Sequence, residues 1–115
     1  TFYDPKYPIT GAKQFFSGGA GLSSTAEDYA KFLQMYLNNG ELNGIRLLSR
    51  TTIKVIMANQ IGDLFPKNPE SFYELALRVQ TNQGAGAGGN GSIGIFSLGG
   101  YFNTSYFADH EEQII

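Results

Sequence analysis

Residues 24–40, STAEDYAKFLQMYLNNG, constrain the fold more than any other stretch of this chain. Ser24 with Glu27 three residues later forms a capping box, in which each side chain can satisfy a backbone N–H left without a partner at a helix start. Tyr29, Phe32, Leu33, Tyr36 and Leu37 then recur at spacings of three and four, which predicts one apolar stripe along a helix of about four turns. Asn38-Asn39-Gly40 ends it, because glycine takes the left-handed conformation just past a helix without a Cβ penalty.

Beyond Gly40 the chain is punctuated differently. Asn43-Gly44, flanked by Leu42 and Ile45, suits a tight turn with positive φ at both central residues and predicts a small hairpin. Ser49 can cap a second helix running to about Ala58, with Ile53, Ile56 and Met57 as its buried face. GDLFPKNPES, residues 62–71, carries Gly, two Pro and Asn and reads as a loop. From Phe72 the period changes to two. Tyr73, Leu75, Leu77 and Val79 alternate with Glu74, Ala76, Arg78 and Gln80, as in one half-buried strand. NQGAGAGGNGS (82–92) reads as a flexible turn. Ile93, Ile95 and Phe96 form a second strand leading into Leu98-Gly99-Gly100, and Tyr101 to Ala108 a third, with Asp109-His110-Glu111-Glu112 as the turn before a fourth. Two helices followed by an antiparallel strand series give an α+β fold.

Bulk properties bound what this fold can do. The 115 residues make one domain or a fragment of one, and both ends read as cut: the chain opens without Met in TFYDPKYPIT and stops on EEQII, in what reads as an unfinished strand. With 42% hydrophobic residues, nine Phe and seven Tyr, there is material for a real core. A net charge of −2 leaves no electrostatic footprint for nucleic acid or an anionic membrane. The absence of cysteine removes a disulfide framework, a thiolate nucleophile and a Cys-based zinc site. No stretch reaches the roughly 20 apolar residues of a membrane span, and the first ten residues lack the pattern of a signal peptide.

The glycine-rich stretch at 84–91 raises the question of a phosphate loop. Such a loop needs Gly-Lys-Ser/Thr leading into a helix, whereas here there is no lysine and a strand is expected next, so a hairpin linker is the better reading. His110, the single histidine, stands among Asp109, Glu111 and Glu112. Consecutive residues on a turn do not converge on one ion, which favours a solvated turn over a metal site. No Gly-x-Ser-x-Gly elbow presents a serine nucleophile. No cofactor is expected. Gly99 and Gly100 fit a different need, backbone that must approach another molecule with no Cβ in the way, so that strand N–H and C=O groups can bind it and one N–H can face a developing oxyanion. A β-bulge or tight bend accounts for the same two residues equally well.

The run GGAGLSSTAEDYAKFLQMYLNNGELNGIRLLS, followed after a strand segment by GSIGIFSLGGYFNTSYFADHEE, resembles the C-terminal half of the serine β-lactamase-like hydrolases. That family holds class C β-lactamases, related carboxylesterases and D-alanyl-D-alanine carboxypeptidases. The resemblance runs from about Phe15 to Ile115 and implies a partial β-lactamase/transpeptidase-like fold. It places Leu98-Gly99-Gly100 at the family's third motif, as substrate-binding residues, and makes the backbone N–H of Tyr101 one of two oxyanion-hole donors. Leu98 stands where the family often has a cation or a ring, which argues against electrostatic capture of a substrate carboxylate and favours an esterase-like or degenerate pocket. Asp109-His110 stands where Asp-Pro is common and is assigned a structural role.

The family attacks with the serine of a Ser-x-x-Lys motif, and a Tyr-x-Asn motif supplies a further proton-transfer group. None of the eight serines here is followed three residues on by lysine, and the Tyr-x-Asn match Tyr36 to Asn38 lies in the apolar stripe of the first helix. The expectation is therefore a C-terminal portion of such a hydrolase that turns over no substrate alone, its small-molecule or peptide substrate being met by the full-length protein. The alternatives are a non-catalytic binding module and a structural domain that pairs through unprotected strands. Gly18-Gly19-Ala20-Gly21 is expected to be a plain loop, with packing near the cleft as the other reading. Uncovered edges predict homo-oligomers or strand exchange in the isolated chain. Family members are often exported or periplasmic; the sequence itself does not fix a compartment.

Overall fold

The computed structural model describes residues 6, 22–62, 64, 70–73, 75, 77–86, 91–100 and 103–115. Within them the chain is α+β, as its patterning indicates. It runs α1 (Ala26–Leu37), β1 (Glu41–Leu42), β2 (Ile45–Arg46), α2 (Arg50–Ile56), β3 (Ser71–Tyr73), β4 (Arg78–Gln80), α3 (Asn82–Gly86), β5 (Phe96–Gly99) and β6 (Ser105–Ala108). The glycine run at 18–21, most of the 62–71 loop and Tyr101 lie outside the described residues.

Helix α1 starts one residue later than the capping box suggests. Thr25, in extended conformation, is the N-cap: its Oγ1 accepts the Asp28 N–H at 3.1 Å and donates to the Asp28 carboxylate at 3.1 Å. Ser24 and Glu27 are exposed, and Glu27 instead pairs with Lys31 at 3.0 Å. Either register satisfies the first-turn amides; Thr-x-x-Asp supplies a shorter carboxylate that reaches the cap hydroxyl directly. At the other end Gly40, at φ +94°, donates its N–H to the Met35 carbonyl at 2.8 Å, closing the helix as expected. Asn43 (φ 51°) and Gly44 (φ 79°) make the tight turn between β1 and β2, and the Ser49 hydroxyl accepts the Thr52 N–H at 2.9 Å to start α2.

Strands β3 to β6 form one antiparallel meander in sequence order. The single strand expected from Phe72 to Gln80 is instead a hairpin, with Phe72 opposite Val79 and Tyr73 opposite Arg78. Its alternation breaks inside the turn: Tyr73 and Leu75 are exposed, while Leu77 and Val79 are 5% exposed. No Gly, Pro or Asn marks residues 74–77, so the reversal carried no turn chemistry to read. The 82–92 segment is not uniformly a flexible turn either. Thr81 caps α3, its hydroxyl accepting the Gly84 N–H at 3.2 Å, and Gly84 lies so close to the Glu70 carbonyl that a Cβ would overlap it. The glycine therefore admits a helical turn against the start of β3.

The second strand begins at Phe96 and the third at Ser105. In place of a fourth strand, Asp109 and Ile114 make one isolated bridge around the turn at 110–113.

The core is formed by Leu33 and Leu37 of α1 against Leu77, Val79, Phe96 and Ala108, with Tyr29, Tyr36, Met57, Phe72 and Tyr106 around them. Fully burying a side chain such as Leu33 or Phe96 contributes about 1.5–3 kcal/mol, so this contact fixes the helix on the sheet. Part of the expected stripe differs. Phe32 is 44% exposed, whereas Met35, outside the stripe, is 4% exposed. Of the expected face of α2, only Ile53 is fully buried. Among the described residues no helix is long and apolar enough to cross a membrane.

Candidate functional site

The β5–β6 hairpin carries the glycine motif, and the core holds its base. Phe96 is 2% exposed and pairs with Ala108, which is fully buried, and its ring lies 5.9 Å from that of Tyr36. Tyr106 of β6 lies 4.9 Å, centroid to centroid, from Tyr29 of α1. From this anchored end the hairpin runs outward through Leu98 opposite Tyr106 and Gly99 opposite Ser105 to its tip. There the Gly100 N–H donates to the Thr104 carbonyl at 2.7 Å, the Asn103 N–H donates to the Gly100 carbonyl at 3.1 Å, and Asn103 takes a left-handed φ of 59°.

Leu98, Gly99 and Gly100 are all exposed at this outer end. β5 is a central strand, not the edge strand that backbone recognition ordinarily uses, yet among the described residues its last two are paired on one side only. On the β4 side the described ladder ends with Arg78 opposite Ser97, so Leu98 and Gly99 are laddered to β6 alone. Antiparallel pairing alternates the direction of backbone groups. With Gly100 bonded toward β6, the N–H and C=O of Gly99 face the β4 side, beyond that ladder's end.

The two glycines differ in what the fold asks of them. A Cβ on Gly100 would overlap the Thr104 hydroxyl, so the turn itself favours glycine there. A Cβ on Gly99 would meet only the Thr104 carbonyl oxygen at 3.7 Å, ordinary contact, and Gly99 is not among the residues of positive φ. Among the described residues neither packing nor backbone conformation demands glycine at 99.

Alternation also sorts the side chains. Arg78, Ser97, Gly99, Ser105 and Phe107 share one face, while Val79, Phe96, Leu98 and Tyr106 share the other, toward α1. A hollow of about 290 Å³ lies at Gly99, bounded by Tyr73, Arg78, Ser97, Leu98, Ser105 and Tyr106. A larger groove of about 1000 Å³ is bounded by α1 residues such as Tyr29 and Leu33 and by sheet residues including Arg78, Ser97 and Phe107. Arg78, Ser97 and Ser105 were not singled out in the sequence. They reach Gly99 only through the β3–β4 hairpin and the β4–β5 register, which residue spacing did not reveal. Neither Ser97 nor Ser105 is hydrogen-bonded to a histidine, lysine or carboxylate among the described residues, so this face offers binding groups and no activated nucleophile.

Asp109 is a buried carboxylate. At 1% exposure, its Oδ2 accepts the Ser92 N–H at 2.9 Å and its Oδ1 accepts those of Glu111 and Glu112 at 3.0 and 3.1 Å. Burial pushes its pKa up, but the bonds from Ser92, Glu112 and Glu111 outweigh burial and hold the carboxyl below the ordinary carboxylate range. Asp109 therefore ties the turn at 110–113 to the approach to β5, the structural role assigned to it. His110 is exposed, and no group of three or more His, Asp or Glu residues is placed to hold a metal among the described residues.

No family model matches this chain. It is similar to two proteins of Mycobacterium tuberculosis. One is Protein Rv1367c of strain H37Rv and the other Uncharacterized protein MT1414 of strain CDC 1551, each 30% identical over 113 residues. The matches cover 88% of this chain and 28% of each relative, so the chain spans little more than a quarter of the length of the curated proteins it matches.

Proposed function

We propose that residues 96–101 form one wall of the acyl-binding cleft of a serine β-lactamase-like hydrolase, whose nucleophilic serine lies outside residues 1–115. The observation that carries this reading is Gly99, a glycine in extended strand that the fold does not require, exposed, with backbone groups facing past the end of the neighbouring ladder. Bare backbone there lets an acyl group lie along β5 and pair with the Gly99 N–H and C=O, as a short added strand would. The Tyr101 N–H would then donate to the oxyanion formed when the serine attacks the carbonyl. Leu98 lies on the opposite face and supplies no cation, which favours esterase-like chemistry on an acyl ester over β-lactam or D-alanyl peptide hydrolysis.

The test is labelling of the full-length protein with a fluorophosphonate that acylates activated serines. A single labelled serine, mapped outside residues 1–115 and followed three residues on by lysine, supports the reading. A protein left unlabelled under conditions that label a control esterase contradicts it and favours the non-catalytic binding module. We further propose that strands β3 and β6, the outer strands of the sheet, drive oligomerisation when the segment is isolated, since exposed Tyr73 and Phe107 stand on them. A monomer by light scattering at high concentration would count against that.

A further inference from the structure

Three Asn-Gly pairs stand in this chain, at 39–40, 43–44 and 90–91. In such a pair the glycine nitrogen can attack the asparagine side-chain carbonyl, because no Cβ on the glycine obstructs the approach and its backbone turns freely. Asn90 lies outside the described residues, and the other two pairs are held very differently. The 39–40 peptide is clamped. The Gly40 N–H donates to the Met35 carbonyl at 2.8 Å, the Asn39 carbonyl accepts from the Arg46 guanidinium at 3.0 Å, and Gly40 is buried. Gly44, by contrast, is exposed at the tip of the β1–β2 hairpin. Among the described residues its N–H donates to no backbone group, and nothing lies within 4 Å of where its Cβ would stand. The Asn43 carboxamide is exposed too and has no hydrogen-bond partner among the described residues. Each flanking strand is two residues long, and so short a ribbon opens at little cost, which lets the Asn43 backbone rotate and bring the Gly44 nitrogen onto its side chain.

We propose that Asn43 is a site of spontaneous backbone modification, converted through a succinimide to aspartate and isoaspartate, while the fold preserves Asn39. The Gly44 nitrogen loses its proton to solvent and bonds to the Asn43 Cγ; the side-chain nitrogen takes up a proton and leaves as ammonia. Water then opens the ring at either carbonyl, so the net change consumes one water and releases one ammonia. Opening at the backbone carbonyl leaves isoaspartate, whose chain runs through the side-chain carbon and is one atom longer. A two-residue connection with positive φ at both centres does not fit that longer chain, so β1 and β2 lose their register, and with it the Arg46 contacts to Asn39 and Glu41 at the end of α1.

The experiment ages the full-length protein at mildly alkaline pH, folded and in urea. Fragment-ion mass spectrometry follows the tryptic peptide of residues 32–46, which carries both pairs, and labelling by an isoaspartyl methyltransferase reports isoaspartate. In the folded protein Asn43 is expected to convert roughly tenfold or more faster than Asn39, because freeing the Gly40 N–H costs a buried hydrogen bond. In urea the two rates should agree within about twofold, since neither pair is then held. Conversion of Asn39 as fast as Asn43 in the folded protein overturns the proposal. So does an Asn43 that stays intact in the folded protein over a time that converts it in urea, since the hairpin would then protect it. The same preference persisting in urea also overturns it, because the cause would lie in the neighbouring residues and not in the fold.

Discussion

Gly40 and Gly99 are both exempt from a side chain, for opposite reasons. Gly40 is buried at the end of α1 with φ +94°, and the carbonyl and Cβ of Leu48 occupy the space a Cβ would need. The helix end and the adjoining hairpin, where the Gly40 carbonyl accepts the N–H groups of Leu47 and Leu48 at 2.9 and 3.0 Å, account for that glycine completely. Gly99 is exposed and extended, and among the described residues a Cβ there would make only ordinary contact with the Thr104 carbonyl oxygen at 3.7 Å. A glycine in a strand weakens the strand, so its presence at 99 costs stability that no contact among the described residues returns. The contrast separates a glycine that folding requires from one that no contact among the described residues requires.

Substitution at Gly40 should give the largest effect of this set. Gly40→Val combines a left-handed φ with overlap against the Leu48 backbone, and is expected to lower stability by about 3 kcal/mol or more, read from urea unfolding of the full-length protein. Asp109→Asn comes next, at about 2–3 kcal/mol, because a buried carboxylate with three backbone donors loses its charge-assisted bonds. The sign with pH is set by its lowered pKa. The carboxylate stabilises the fold above its unfolded value, about 3.9, and that contribution is lost as pH falls through the lower folded value. The gap between the unfolding midpoints of wild type and Asp109→Asn should therefore be constant from about pH 6 down to about pH 4 and begin to narrow only as pH falls below about 3.9. Thr25→Ala should cost about 1 kcal/mol through loss of the α1 cap, and the same change at Ser24 should cost less than half of that. Equal costs at 24 and 25 would restore the Ser24 box. Gly99→Ala should be neutral or stabilising by about 0.4–1 kcal/mol, since the conformation and the space both accept a methyl group. A loss of more than about 1 kcal/mol there would place Gly99 with Gly40 and remove the contrast.

The same contrast describes what the sequence disclosed. Helix α1 and the Asn43-Gly44 turn were legible because capping, stripe and turn chemistry are local, and the error at Thr25 was a choice between two adjacent caps with equivalent partners. The β3–β4 reversal was not legible, since Glu74 to Leu77 read as strand and the parity change falls inside the turn. Helix α3 was hidden for a related reason: a glycine-rich segment reads as a linker unless the close approach of Gly84 to Glu70 is known. At the site, Leu98-Gly99-Gly100 could be singled out from composition, but Arg78 could not. Its place beside Gly99 is a property of strand register, and a residue in a regular alternation carries no mark of what lies across the sheet.

The central claim is that Gly99 is kept bare for a molecule that is not part of this chain. It is tested most directly by the rate of fluorophosphonate labelling of the full-length protein carrying Gly99→Val, measured beside its thermal unfolding midpoint. The expected result is a labelling rate roughly tenfold or more below wild type with the midpoint within about 3 °C. Labelling at the wild-type rate, with a valine side chain standing on the strand, would contradict it.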